Sequence, residues 1–141
     1  MKRILIPVDG SQHAVHAVRA MLEARSYDPV AHVALLTVQI PLLAGKIGRG
    51  LSQADIDAYH QEEGEAALSE ASALLVAAGV PFTPRIEIGA AAETIARVAD
   101  EIDADEIYMG TRGLGSMASL FMGSVATKVL HLTDLPVTLA K

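Results

Sequence analysis

Short runs of apolar residues alternate along this chain with longer segments whose apolar residues recur every three or four positions. The runs predict buried strands at residues 3–8, 32–38, 82–88, 106–109 and 136–140. The longer segments predict helices at residues 12 to about 25, 53–78, 90–102 and 124–132. Because parallel strands need crossover connections, this alternation predicts a single doubly wound α/β domain over residues 1–141, with a five-stranded parallel sheet between two layers of helices.

Glycine, proline and small polar residues mark the ends of these elements. Asp9-Gly10-Ser11 follows the first run and offers both a turn and a helix N-cap. Gly79 follows the second helical segment, where a glycine C-cap would end it. The segment 41–52 contains three glycines and predicts a mobile loop. Pro136 is predicted to start the last strand, where a missing N–H costs least.

Composition narrows the classes of protein to consider. Of the 141 residues, 51% are hydrophobic and 20% are charged, which argues against disorder. No apolar run is long enough for a membrane span. The formal net charge of −6 disfavours nucleic acid and anionic lipid as partners. The lack of cysteine removes disulfides, thiol nucleophiles and cysteine-based metal sites. We therefore expect a cytoplasmic protein that binds neither membranes nor nucleic acid.

The candidate chemistry lies in a glycine-rich motif near the fourth predicted strand. Gly110 and Gly113 come directly after that strand, and Gly123-Ser124 precedes the last predicted helix. Glycine lets the backbone approach a ligand closely, and a helix start offers unpaired N–H groups to an anion. Asp9 follows the first strand, so we expect its carboxylate in the same crevice at the carboxyl ends of the strands. The motif predicts a nucleotide site.

Two simpler interpretations stay open at this point. Asp9 could cap the first helix together with Ser11, a role compatible with ligand binding. Gly110 and Gly113 could be ordinary turn residues, because one Gly-x-x-Gly pair is a weak signal. The nine residues between Gly113 and Gly123 make the combined pattern more specific.

The pattern Gly110-x-x-Gly113-x9-Gly123-Ser124, with Pro7-Val8-Asp9 near the start and Pro136-Val137 near the end, resembles the universal stress protein family over essentially the whole chain. The resemblance implies the strand order 3-2-1-4-5 and the ATP-binding branch of that family. It also implies a homodimer formed through the C-terminal strand. Such a pairing would cover the apolar sheet edge that this topology exposes.

The same resemblance implies roles for individual residues. Asp9 and the backbone of Val38 would hold adenine, Met109 and Gly110 would lie near the ribose, and the remaining motif residues would cradle the phosphates. The full candidate set is Pro7, Val8, Asp9, Val38, Met109, Gly110, Arg112, Gly113, Gly123, Ser124 and Val125. Ala126 departs from the relatives that offer a further hydroxyl at this position.

Other polar and apolar groups are weaker candidates. Gly45-Lys46 lacks the rest of a Walker-type loop, so Lys46 and Arg49 are interpreted as a charged surface loop, with closure over phosphates as the alternative. His13 and His16 lie one turn apart with no evident third metal ligand. A solvated helix face is predicted for Glu62, Glu63, Glu65 and Glu70, and packing beside the motif for Met117, Phe121 and Met122.

These observations predict a nucleotide-dependent regulatory protein of the stress response rather than an enzyme. Only Asp9 is an evident acid near the site, and the five histidines form no recognisable catalytic group. ATP, with or without Mg²⁺, is the expected ligand, and slow ATP hydrolysis or nucleotidyl transfer is the alternative. A regulatory protein partner is also expected. The stress, the partner and the resident nucleotide stay open.

Overall fold

The computed structural model describes residues 1–42, 50–111 and 123–141. The strands in these ranges are β1 Lys2–Pro7, β2 Val30–Gln39, β3 Phe82–Ile88, β4 Glu106–Gly110 and β5 Val137–Ala140. The helices in the same ranges are α1 Gln12–Ala24, α2 Gln53–Ala78, α3 Ala91–Glu101 and α4 Ser124–Leu132. None of these helices combines the length and the apolar character needed to cross a bilayer.

The five strands form one parallel sheet in the order β3-β2-β1-β4-β5. β1 is central, and its Leu5 lies opposite Ala34 in β2 and Ile107 in β4. The chain first winds outward from β1 through β2 and β3, and then restarts on the other side of β1 with β4. This reversal leaves a crevice at the carboxyl ends of β1 and β4. The predicted fold class and the strand order implied by the resemblance are both confirmed.

A separate hydrophobic core covers each face of the sheet. Neighbouring residues of one strand enter opposite cores, so Ile6 and Leu35 pack with α1 and α2. Leu5 and Leu36 pack with α3 and α4 on the other face. Burial on both faces explains why the strands appear in the sequence as almost continuous apolar runs rather than as alternating patterns.

Local capping sets the ends of the helices. The Ser11 hydroxyl accepts the N–H of Ala14 at 3.3 Å at the start of α1. Ser52 and Asp55 form a capping box at the start of α2. Gly79 ends α2 in the left-handed conformation with φ 69°, as the sequence predicted. Inside α2, a methyl group at Gly64 would come within 2.7 Å of the Ile86 side chain, so glycine allows this helix to lie close to β3.

Most element boundaries lie within one residue of the predicted ones. β2 starts two residues earlier than predicted, because Val30 already pairs with Lys2. Pro136 lies outside β5, which corrects the prediction that it starts the strand, although its carbonyl accepts the N–H of Ile107 at 3.0 Å. Gly110 is the last residue of β4 rather than the first residue after it, because it pairs with Ala140 of β5.

The amino ends of the strands carry a polar group that the sequence did not indicate. Lys2 Nζ lies 2.8 Å from Asp28 Oδ2 and 3.2 Å from Glu106 Oε2. Glu106 is only 7% exposed, and the Thr138 hydroxyl donates to its Oε1 at 2.9 Å. Hydrogen bonds to Asp28 and Glu106 raise the pKa of the Lys2 ammonium above its ordinary value. We call Lys2, Asp28, Glu106 and Thr138 the amino-end cluster.

Candidate functional site

A cavity of about 450 Å³ opens at the carboxyl ends of β1, β2 and β4, where the winding reverses. α1 and α2 border it on one side, and α3 and α4 border it on the other. Its volume falls within the range of ~300–1,000 Å³ that is usual for small-molecule sites. The candidate residues that line it are Pro7, Val8, Asp9, Val38, Met109, Gly110, Gly123, Ser124 and Val125.

Several residues singled out in the sequence lie outside the described part of the chain. They include Arg112 and Gly113 of the candidate set, together with Lys46, Arg49, Met117, Phe121 and Met122. Most of the predicted loop 41–52 also lies outside it. The tertiary structure therefore brings nine of the eleven candidates to one cavity, although they come from four separate stretches of the sequence.

Asp9 occupies the turn between β1 and α1 and lines the cavity. Its Oδ1 accepts the N–H of Ser11 at 2.9 Å, and Ser11 in turn caps α1 through Ala14. The carboxylate therefore shapes the turn that starts α1, as the simpler interpretation holds. The same residue also lines the cavity, so its part in the turn is compatible with ligand binding.

Gly110 is small for a reason that the sequence pattern did not indicate. Its backbone does not adopt a positive φ. A methyl group at this position would instead lie 2.6 Å from the carbonyl oxygen of His13 in α1 and 2.7 Å from its carbonyl carbon. Backbone atoms cannot move aside as a flexible side chain can. Glycine at 110 is therefore required for the close approach of α1 to β4, whatever ligand the cavity holds.

The start of α4 forms the opposite wall of the cavity. Gly123 is its N-cap in an extended conformation, with φ −64° and ψ 159°, and its N–H donates to the carbonyl of Thr111. Within the described residues no side chain caps this helix, and its first turn carries no acidic residue. Ser124, Val125 and Ala126 all line the cavity. An uncapped first turn with a partial positive charge is suited to an anion.

Charged side chains are scarce in the described lining of the cavity. Asp9 is its only carboxylate, and neither lysine nor arginine occurs in it. Lys128, one turn beyond Ser124 on α4, forms an ion pair with Glu93 of α3. The hydrogen bond from Lys128 lowers the pKa of the Glu93 carboxyl. Among the described residues, attraction for an anion must therefore come chiefly from the amides of α4.

Nine lining residues lie outside the candidate set, among them Thr37, Ile40 and Tyr59. Thr37 lies in β2, and its buried hydroxyl oxygen has no hydrogen-bond partner among the described residues. Ile40 follows β2 and is 83% exposed, whereas Tyr59 lies in the second turn of α2 and is 46% exposed. No local signal marks them, because strand and helix periodicity distinguish buried from exposed positions but not the rim of a cavity.

The histidines of α1 and the glutamates of α2 form no metal or catalytic site in the described residues. The rings of His13 and His16 lie 6.1 Å apart, and His16 Nδ1 lies 2.7 Å from the backbone oxygen of Lys141. In the described ranges no three histidine, aspartate or glutamate side chains come together to hold a metal ion. The α2 residues Glu62, Glu63, Glu65 and Glu70 are all exposed, as predicted for a solvated face.

Comparison with known proteins agrees with this architecture. The sequence profile of the Universal stress protein family matches residues 1–141. The chain is 34% identical over 152 aligned positions to a universal stress protein of Thermus aquaticus, and the alignment covers 99% of this chain and 98% of that protein.

Two solved structures are similar to this chain over nearly its full length. The hypothetical protein MJ0577 shares the fold with a TM-score of 0.83 and 24% identity, covering 99% of this chain and 95% of that one. A universal stress protein solved in complex with cAMP has a TM-score of 0.71 and 25% identity, covering 99% and 97%.

Proposed function

We propose that this chain, which belongs to the universal stress protein family, binds an adenine nucleotide in the cavity and acts as a nucleotide-dependent regulatory module of the stress response. The observation that carries the proposal is the pairing of two features across one cavity. Asp9 and the end of β2 lie on one side of it, and the start of α4, which no described side chain caps, lies on the other. A nucleotide has matching parts, because its base offers hydrogen-bond donors and its phosphates are anionic.

The strand order suggests the orientation of the proposed nucleotide in the cavity. β2 and β4 flank β1, so Val38 at the end of β2 and Gly110 at the end of β4 lie on opposite sides of Asp9. We place the nucleoside over β2 and β1, with the phosphates against Gly123 and Ser124. In this arrangement Met109 and Gly110 lie near the ribose, and Arg112 and Gly113 complete the phosphate contacts. The chain would then be one nucleotide-binding domain over residues 1–141.

The cAMP complex of a relative supports an adenine nucleotide as the class of ligand. For this chain we propose ATP, because the complete motif of Gly110, Gly113, Gly123 and Ser124 resembles that of the ATP-binding branch of the family. Mg²⁺ would arrive with the phosphates, which supply most of its ligands in such sites. Asp9 is the carboxylate in the described lining that could approach it.

A binding role fits the described lining better than turnover does. Phosphoryl transfer needs a positioned nucleophile or water together with groups that stabilise the developing charge. Asp9 already accepts a hydrogen bond from the turn, and no other carboxylate occurs in the described lining. We propose a protein that reports nucleotide occupancy to a protein partner, with at most slow hydrolysis.

The proposal is tested by calorimetry with adenosine, AMP, ADP and ATP. For the wild-type chain we expect affinity to increase with the number of phosphates. Gly123→Val should lower ATP affinity by about tenfold or more, equivalent to about 1.4 kcal/mol, because its branched side chain enters the phosphate side of the cavity. The backbone at Gly123 is open to any residue, so the ligand-free variant should unfold like the wild type.

Two results would overturn this proposal. The first is a wild-type chain with no measurable affinity for any of the four ligands. The second is a Gly123→Val variant that loses as much affinity for adenosine as for ATP, which would place the phosphates elsewhere. Steady phosphate release from Mg·ATP, well above that of the variant, would favour a slow ATPase instead.

We also propose that two copies pair through β5. This strand forms an edge of the sheet, and its four residues are uncharged and partly exposed. The opposite edge strand, β3, contains Pro84, Arg85 and Glu87, residues of the kind that discourage pairing. Light scattering at micromolar concentration should give twice the chain mass of 14.8 kDa. A monomer at that concentration would contradict the proposal.

A further inference from the structure

We propose that Tyr59 stacks on the base of the bound nucleotide, so that the cavity selects ligands that carry an aromatic base rather than any phosphate compound. This inference rests on the proposed function. It adds an affinity-determining residue on the nucleoside side of the cavity, where the sequence pattern indicated only hydrogen-bonding groups.

The position of Tyr59 places its ring at the correct end of the cavity. Tyr59 lies on α2, which packs against β2 and β3 on one face of the sheet. With Thr37, Gln39 and Ile40 it forms the β2 side of the cavity, across from Gly123 and Ser124. A ligand whose phosphates contact the start of α4 therefore extends its nucleoside toward the Tyr59 ring.

The Tyr59 ring has an aromatic contact within the protein. It packs edge to face on the His60 ring, with centroids 5.6 Å apart and an interplanar angle of 68°. His60 is only 3% exposed, and its Nε2 accepts the N–H of Leu42 at 3.2 Å, just beyond β2. This contact joins α2 to the end of β2. A preorganised ring loses little conformational freedom when a base stacks on it.

The exposure of the three tyrosines separates Tyr59 from the others. Tyr108 is 6% exposed and belongs to the hydrophobic core, whereas Tyr27 is 81% exposed and lies outside the cavity. Tyr59 is 46% exposed and lines the cavity, so a bound base could remove the rest of its apolar surface from water. Stacking tolerates any base, so discrimination among bases would fall to the polar groups near Asp9 and Val38.

The first experiment compares Tyr59→Phe, Tyr59→Leu and a matched control, Tyr27→Leu, by calorimetry with adenosine, AMP and ATP. Tyr59→Leu keeps apolar bulk but removes the aromatic face. We expect it to weaken all three ligands by one common factor, on the order of tenfold. Tyr59→Phe keeps the ring and should bind within about twofold of the wild type, as should Tyr27→Leu. This pattern differs from that of Gly123→Val, whose effect grows with the number of phosphates.

The second experiment uses intrinsic fluorescence, because the chain contains three tyrosines and no tryptophan. A base stacked on Tyr59 should quench part of the tyrosine emission in the wild type and in Tyr27→Leu. In Tyr59→Phe the nucleotide still binds, but the quenching should be lost. The loss of fluorescence quenching therefore reports contact between the base and the Tyr59 ring, and not only affinity.

The outcomes separate this inference from the proposed function. If the wild-type chain binds no adenosine phosphate, both fail. If it binds ATP, and Tyr59→Leu keeps wild-type affinity for adenosine and ATP, only the stacking role is overturned. If Tyr59→Phe loses as much affinity as Tyr59→Leu, the phenolic hydroxyl rather than the ring makes the contact, and the inference is again wrong.

Discussion

The two ends of the sheet are built in opposite ways. At the amino end, Lys2 pairs with both Asp28 and Glu106, and Glu106 also accepts the Thr138 hydroxyl. At the carboxyl end, the strands open into a cavity of about 450 Å³. There, in the described part of the chain, the buried hydroxyl of Thr37 has no partner and no side chain caps α4. At the amino end the side chains of the cluster satisfy one another, whereas at the carboxyl end the described residues leave the Thr37 hydroxyl without a partner.

We infer that the amino end of the sheet contributes chiefly to stability and the carboxyl end chiefly to ligand binding. Removing Glu106, the buried member of the amino-end cluster, takes a partner from the Lys2 ammonium and from the Thr138 hydroxyl and should destabilise the fold. Leaving a buried polar group without a partner also costs stability, and that cost can be recovered when a ligand or water supplies the missing hydrogen bond. We therefore expect substitutions in the amino-end cluster to affect unfolding alone. Substitutions around the cavity should affect ligand binding, with Gly110 as the exception.

Gly110→Ala should have the largest effect on stability, although it lies at the binding end. The added methyl would meet the His13 carbonyl at 2.6 Å, so α1 must shift away from β4. We expect the free energy of unfolding to fall by about 3 kcal/mol in urea denaturation of the ligand-free protein. Gly123→Ala, where the backbone is permissive, should change it by less than about 0.5 kcal/mol. If Gly110→Ala is as stable as the wild type, contact with α1 does not explain this glycine. The close approach of a ligand would then be the remaining reason for it.

Glu106→Ala should have the next largest effect, at the amino end. It removes a buried carboxylate that holds both Lys2 and Thr138. We expect a loss of about 2 kcal/mol in the free energy of unfolding, because Asp28 still pairs with the partly exposed ammonium. Calorimetry should show unchanged nucleotide affinity, and weaker binding in this variant would mean that the two ends are coupled.

A matched pair of threonine substitutions compares the two ends directly. Thr138→Val removes a hydroxyl that donates to Glu106, so we expect a loss of about 1 kcal/mol. Thr37→Val removes a buried hydroxyl that no described residue pairs with, so we expect unchanged or higher stability, by up to about 1 kcal/mol. Thermal unfolding of the ligand-free variants gives both values. A lower melting temperature in Thr37→Val would show that its hydroxyl is satisfied in solution.

The smallest expected effect is the pH dependence contributed by Lys2. Its pKa is raised in the folded protein by Asp28 and Glu106, so folding favours the protonated ammonium. The resulting stability is fully present below the ordinary lysine pKa of 10.5 and is lost as the pH rises toward the higher folded value. Urea denaturation of the wild type and Lys2→Met should show a constant difference from pH 7 to pH 9 that shrinks above pH 10.5. A difference that already shrinks near pH 8 would contradict this assignment.

Much of this architecture could be predicted from local patterns. The 26-residue helix Gln53–Ala78 ends at Gly79 as expected, because a capping serine and a glycine with positive φ are local signals. The candidate site could also be predicted in part, because its residues directly follow or end strands whose carboxyl ends meet in this fold class. The motif, however, did not indicate why residue 110 must be glycine. The reason is the close approach of the His13 carbonyl in α1, almost one hundred residues earlier in the chain.

By itself the sequence determined the order and type of the elements, because hydrophobic periodicity and caps act within a few residues. The order of the strands in the sheet was implied by the family resemblance, and the structure confirmed it. Only the tertiary structure placed Glu106 beside Lys2 and Tyr59 at the rim of the cavity, and only it left the Thr37 hydroxyl without a partner among the described residues. Such contacts depend on how separate helices and strands pack together, and no local pattern encodes the distance between two groups far apart in the chain.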